Sequence, residues 1–279
     1  MDSMKRQFVQ VDVFADAPYR GNPLAVVVDA DGLSTSDMQK FAKWTNLSET
    51  TFLLPPTNSA ADYRVRIFTP TEELPFAGHP TLGSAHAWLT HGGTPHDVET
   101  VIQECKVGLI HLRRNSDSLA FAAPPLVRSG SPDESTIIEA ADSLGIERKS
   151  IVDAAWVDNG PGWLGLLLGS AEEVLAIQPR TMNLNLGVAG AYPVGSTFAY
   201  EVRAFYSSRG VTLEDPVTGS LNASLAQWFI ENGRFTAPYL ASQGTAIGYA
   251  GVIRVSTDDS NAVWIGGNVT TRISGFVDL

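Results

Sequence analysis

From residue 74 to residue 96 the chain "LPFAGHPTLGSAHAWLTHGGTPH" carries no Lys, Arg, Asp or Glu, although small and polar side chains are plentiful. Pro80 near its start and Gly92-Gly93 at its end bracket a helix. A helix over residues 81–89 would set Leu82, Ala85 and Leu89 on one face, with Gly83, Ser84, Ala87 and Trp88 covering much of the rest. It has no charged face to offer water, so it must be buried. A second segment of this kind, "TGSLNASLAQWFIENG", predicts a buried helix over residues 220–230 that stops at Asn232-Gly233.

The two segments belong to a longer echo. "YRVRIF" returns as "YEVRAF", with Arg203 standing 137 positions after Arg66, and Gly219 stands 141 positions after Gly78. The small excess fits the longer connection "SSRGVTLEDP" in the second copy, and "DAPYRGNPLAVVV" is answered more loosely by "DNGPGWLGLLL". Three matches in one order at nearly constant displacement point to a duplicated half. The flanking segments read as strands. "QFVQVDVF" and "DYRVRIF" alternate apolar and polar residues, and "PLAVVVD" is a continuous β-branched run. Further strands are expected near 108–112 and 119–121, with a proline break at Pro124-Pro125 and a helix over 133–144. "STSDMQKFAKWTN" reads as an amphipathic helix with Ser34 or Ser36 as its N-cap and Met38, Phe41, Ala42 and Thr45 inward. The expected fold class is α/β (α+β): two pseudo-symmetric halves, each a β-sheet wrapped around one central helix.

Charge and composition remove several functions. Thirty acidic against nineteen basic residues give a net charge of -11, which repels nucleic acid and anionic lipid. No apolar run approaches the roughly 18 residues of a membrane span, and the first ten residues, "MDSMKRQFVQ", have no signal-peptide core. A single cysteine, Cys105, cannot form an internal disulfide, so a cytoplasmic location is expected. His79 and His86 lack a third ligand at zinc-like spacing, "GAYPVGS" lacks the P-loop lysine, and no G-x-G-x-x-G follows a strand. No metal and no cofactor are expected.

The remaining chemistry sits beside the two buried helices. Glu49 in "NLSETTFLLP" lies next to Phe52, Leu53 and Leu54. A carboxylate that loses hydration there holds its proton more readily and suits acid/base exchange; a surface Glu in a turn is the plain alternative. His79 could donate to a bound hydroxyl or carboxylate, or merely fill a helix start. Asp215 in "EDPVTGS" precedes the second helix, where an Asp-Pro turn without chemistry is the alternative, and Ser220 could bind substrate or cap. Uncapped N–H groups at the two helix starts would attract a carboxylate, and both starts could be aimed at a shared cleft.

In this order, "NLSETTFL", "RIFTPTEELPFAGHPTLGSA", "DNGPGW" and "LEDPVTGS" resemble the PhzF-like family of phenazine-biosynthesis isomerases, related in fold to diaminopimelate epimerase and proline racemase. The resemblance covers nearly the whole chain. It implies Glu49 as acid/base, His79 and Asp215 holding and polarising the substrate, and Gly78, Gly219 and Ser220 binding its carboxylate. It also implies a homodimer, with one epimerase-like half over 1–125 joined by 266–279 and the other over 126–265. "FYSSRG" departs from the family's Phe-x-Pro, which bears on substrate identity.

Relatives that racemise amino acids place a cysteine at each helix start. Here those starts read Ala77-Gly78-His79 and Thr218-Gly219-Ser220, and residues 183–200, which match the region of Glu49, hold no carboxylate. One base favours a proton and double-bond shift in a small carboxylate, cyclic or acyclic. The other readings are an epimerase using Glu49 and Asp215 as two bases, and a ligand-binding or regulatory relative without turnover.

Overall fold

The computed structural model describes residues 4–114, 118–208 and 210–279. They fall into two compact units, Met1–Ala122 with Gly266–Leu279, and Ala123–Ile265. The first contains β1 (Lys5–Val13), β2 (Asn22–Val27), α1 (Thr35–Thr45), β3 (Thr50–Leu54), β4 (Tyr63–Phe68), β5 (Glu73–Leu74), α2 (Gly78–Thr90), β6 (Thr100–Cys105), β7 (Gly108–Arg114) and β8 (Leu119–Ala122). Then follow β9 (Arg128–Gly130), α3 (Glu134–Leu144), β10 (Ile151–Asp158), β11 (Trp163–Leu168), α4 (Ala171–Ala176), β12 (Asn185–Ala191), β13 (Tyr200–Ser208), β14 (Val211–Asp215), α5 (Gly219–Glu231), β15 (Tyr239–Gln243), β16 (Gly251–Thr257) and β17 (Val263–Gly267). Strand β18 (Val269–Asp278) returns to the first unit.

The units repeat one pairing scheme. In the first, β18 pairs antiparallel with β1, β1 antiparallel with β2, β2 parallel with β3, β3 antiparallel with β4, β4 parallel with β6, and β6 antiparallel with β7. In the second, β9, β10, β11, β12, β13, β15 and β16 repeat those relations in the same order. Parallel neighbours need a crossover, and in each unit both crossovers are helices: α1 and α2, then α4 and α5. The short hairpins β4–β5 and β13–β14 lead into the second crossover. Arg66, held bidentately by Glu73, and Arg203, held the same way by Glu214, occupy matching places beneath them.

Both second crossovers are the buried helices. Nine of the thirteen residues of α2, and nine of the thirteen of α5, are buried, which leaves neither helix a solvated face. Helix α2 packs against β1, β2, β3 and β18, and α5 packs against β10. The close approach uses a glycine on the helix in one unit and on a strand in the other. A Cβ at Gly83 would stand 2.5 Å from Leu24 Cδ2, and one at Gly187 would stand 2.2 Å from Leu221 Cδ1. Behind the helices, Tyr63 stacks on Trp88 and Tyr200 meets Phe229, both pairs with centroids 5.3 Å apart.

Helix α2 begins at Gly78, three residues earlier than the pattern suggested. Pro80 is therefore its third residue rather than a residue at its edge, a place where the missing N–H still has no intrahelical carbonyl to meet. Helix α1 starts at Ser34, whose hydroxyl accepts from Asp37 N, and buries Met38, Phe41 and Ala42. No helix of the described residues is long and apolar enough to cross a membrane.

Candidate active site

Helices α1, α3 and α4 are capped by Ser34, Asp133 and Ser170, each side chain accepting from a backbone N–H of the first turn. The buried helices differ. Ala77 and Thr218 stand at their N-caps, and neither makes a side-chain cap bond. The first-turn N–H groups of the two most buried helices are thus left for another acceptor.

In the first unit, α1 ends on Asn46 in the left-handed conformation, and the following turn leads to Glu49 at the threshold of β3. Ser48 Oγ donates to the fully buried Asn22 Oδ1 at 3.3 Å, which holds this turn against β2. Glu49 Oε2 lies 3.5 Å from His79 Nε2, with the two side chains 16% and 5% exposed. Nε2 makes no hydrogen bond among the described residues. Burial pushes the His79 imidazole down to about 3, so it is neutral at ordinary pH and offers an N–H without competing for a proton. Gly78 begins the helix beside it.

The pKa of His79 makes a prediction about stability. An unfolded His79 binds its proton near 6.5, whereas the folded one refuses it until about 3. Between those values the unfolded state holds more protons, so this residue's contribution to stability falls as pH falls through that window. His79→Asn should flatten the decline of the urea midpoint over the same range. An unchanged slope would mean that the folded protein carries His79 charged.

In the second unit, Asp215 closes β14, and Thr218 Oγ1 donates to its Oδ2 at 2.5 Å. The fully buried Gln243 ties this turn together. Its amide donates to Asp215 O and Thr218 Oγ1, and its carbonyl accepts from Thr218 N and Asn222 Nδ2. Gly219 is the first residue of α5. Ser220 Oγ accepts from Trp163 Nε1 at 3.2 Å, which leaves its own hydrogen to donate, and Ser220 O accepts from Asn159 Nδ2 at 2.8 Å. Glu49, Gly78 and His79 thus gather in the first unit, and Asp215, Gly219 and Ser220 in the second.

Thr218, Gln243, Asn159 and Trp163 were not singled out from the sequence. A signal for Gln243 existed: it stands 140 positions after Gln103, which donates to Thr81 Oγ1 and accepts from Tyr63 OH in the first unit. Asn159 and Trp163 lie within "DNGPGW", where the sequence by itself shows only a loose strand echo and a family motif.

The strand registers identify the counterpart of Glu49. Thr50 faces Phe68 across β3 and β4, and Leu186 faces Phe205, the match of Phe68, across β12 and β13. The residue before Thr50 is Glu49, and the residue before Leu186 is Asn185, an amide that donates to Pro161 O. Cys105 is buried on β6 with its thiol pushed up by burial, so it is poorly nucleophilic. Among the described residues no group of three or more His, Cys, Asp or Glu side chains is arranged to hold a metal ion.

Comparison with known proteins agrees with this architecture. A fission-yeast protein (Schizosaccharomyces pombe) named antisense-enhancing sequence 1 is 38% identical, over 97% of this chain and 98% of its own. The trans-2,3-dihydro-3-hydroxyanthranilate isomerase of Pseudomonas chlororaphis is 35% identical over 86% of each chain. A Bacillus anthracis phenazine biosynthesis protein of the PhzF family superposes with a TM-score of 0.83 at 22% identity, covering 99% of this chain and all of the other. The same fold extends to a hydroxyproline epimerase from Agrobacterium vitis, with a TM-score of 0.61 at 16% identity, over 100% of this chain and 93% of that one. Residues 11–275 match the PhzC-PhzF family of phenazine biosynthesis-like proteins, and the chain belongs to that family as an isomerase.

Proposed function

We propose that this isomerase moves a proton, and with it a double bond, within a small carboxylate-bearing ring, without a cofactor and with Glu49 as its acid/base. The observation that carries the reading is the asymmetry of the repeat: Glu49 stands 3.5 Å from a neutral, buried His79, whereas its counterpart is the amide Asn185. Glu49 takes a proton from one carbon, the electron pair of that C–H bond becomes the new double bond as the allylic one shifts, and the same carboxyl returns the proton to the far carbon. Nothing is consumed or released. His79 in the first unit and Asp215 in the second are assigned to holding and polarising the substrate, and Gly78, Gly219 and Ser220, each at an uncapped helix start, to carboxylate binding.

The relatives that carry the name trans-2,3-dihydro-3-hydroxyanthranilate isomerase suggest a substrate of that class, a partly reduced ring with carboxylate, amino and hydroxyl groups. Two identical halves of thiol chemistry are absent from the helix starts, which disfavours a cysteine racemase; an epimerase would need Asp215 as its second base. A cytoplasmic homodimer completes the reading, and a single cysteine without a disulfide partner fits the reducing compartment. Incubation with trans-2,3-dihydro-3-hydroxyanthranilate, followed by proton NMR, tests the reading. New ring signals that arise equally in the presence of chelator and in Cys105→Ala are expected. No turnover together with no binding of the stable aromatic analogue 3-hydroxyanthranilate would overturn the substrate class, and an inactive but folded Cys105→Ala would overturn the one-carboxylate mechanism.

A further inference from the structure

We infer that Arg203 and Glu214 form a clamp that positions Asp215, so that the pair governs the rate of the proposed reaction without touching the substrate. The inference rests on the assignment of Asp215 to the site. Glu214 is the residue just before Asp215 on β14, and successive side chains of a strand point to opposite faces. Glu214 Oε1 and Oε2 accept from Arg203 Nε and Nη2 at 2.9 and 2.7 Å, while Asp215 Oδ2 accepts from Thr218 on the other side. Fixing one side chain therefore fixes the face shown by the next.

The clamp is more deeply buried than the matching Arg66–Glu73 pair, whose side chains are 24% and 25% exposed. The side chains of Arg203 and Glu214 are 5% and 10% exposed, and Arg203 Nη1 also donates to Val174 O and Ile177 O at the end of α4. The guanidinium lies 4.8 Å from the ring centroid of Phe205, the residue that faces Glu214 across the hairpin. Arg203 thus joins β13, β14 and the end of α4 at the point where Asp215 leaves the sheet. A planar, five-donor group suits this role, and a lysine could not reproduce the fork. The repeat supplies a control: Arg66 grips Glu73 in the same bidentate way, but the residue after Glu73 is Leu74.

The test replaces the ionic pair by apolar side chains of similar size, a change that buried pairs often tolerate without loss of stability. Arg203→Met with Glu214→Leu also removes the donor to Val174 O and Ile177 O, so it is expected to fold with a somewhat lowered Tm, and to lower kcat on trans-2,3-dihydro-3-hydroxyanthranilate by roughly 10- to 100-fold, the scale of a misplaced group. In an Asp215→Asn background the same pair of changes should lower kcat less than about twofold further, because the group they position is already gone. Arg66→Met with Glu73→Leu should also lower it less than about twofold. A crystal structure of the Arg203/Glu214 variant should show Asp215 withdrawn from Thr218 Oγ1, whether or not this compound is turned over. An unmoved Asp215, an unchanged kcat, or an equal loss in the Asp215→Asn background would each overturn the clamp. If the double variant does not fold, Arg203→Lys serves in its place under the same criteria. An Asp215→Asn single variant with wild-type kcat would instead overturn the assignment of Asp215 itself.

Discussion

Glu49→Gln should lower kcat by about 10²–10⁴, the usual contribution of a general acid/base, while 3-hydroxyanthranilate binds with a Kd within a few-fold of the wild type. The substitution keeps the size of the side chain and can still meet the neutral imidazole of His79, 3.5 Å away. The turn beneath it is held by groups that the change does not touch, the left-handed Asn46 and the Ser48–Asn22 bond. What is lost is the ability to take and return a proton, and Asn185 in the second unit cannot replace it. Single-turnover kinetics beside a titration of the analogue separate the two effects. A loss of only a few-fold in kcat would point to a different base.

Phe229→Ala should destabilise the protein by about 3–5 kcal/mol, the usual range for deleting a buried aromatic ring. That is a large share of the roughly 5–15 kcal/mol that holds most domains together. Phe229 is fully buried on α5, with its ring centroid 5.3 Å from that of Tyr200, 5.4 Å from Phe235 and 4.8 Å from Trp228. These rings secure the C-terminal half of the helix whose start carries Gly219 and Ser220. Urea unfolding of Phe229→Ala and Phe229→Leu should show a much smaller loss for leucine, which fills most of the space. A loss below about 1 kcal/mol for alanine would mean that the cluster collapses onto the void and is not what anchors α5.

The buried helices were legible because burial leaves a mark that needs no neighbour to interpret. A helix with no charge on any face has nowhere else to go, and α2 and α5 lie where that argument put them. The repeat was legible for a related reason: Arg66 and Arg203, or Gly78 and Gly219, keep their spacing because the same crossover is built twice. The start of α2 was displaced by three residues, since Pro80 is tolerated anywhere in the first turn and so marks a helix start only loosely.

What the chain concealed are pairings made only by folding. Nothing local tells Gln243 that it will meet Thr218 and Asn222, or Trp163 that it will meet Ser220, because each pair is far apart in sequence. The counterpart of Glu49 was known only as a region without carboxylates until the strand registers singled out Asn185. Arg209, inside the segment whose departure from the family pattern bears on substrate identity, lies outside the described residues.

The central claim is that one carboxylate both removes and returns the proton. It is tested most directly by following hydrogen exchange into trans-2,3-dihydro-3-hydroxyanthranilate from heavy water by NMR, with the wild type, Glu49→Gln and Asp215→Asn side by side. The account predicts that Glu49→Gln stops exchange of the departing ring hydrogen along with product formation, whereas Asp215→Asn slows both together without uncoupling them. A Glu49→Gln protein that still exchanges this hydrogen at the wild-type rate would contradict it.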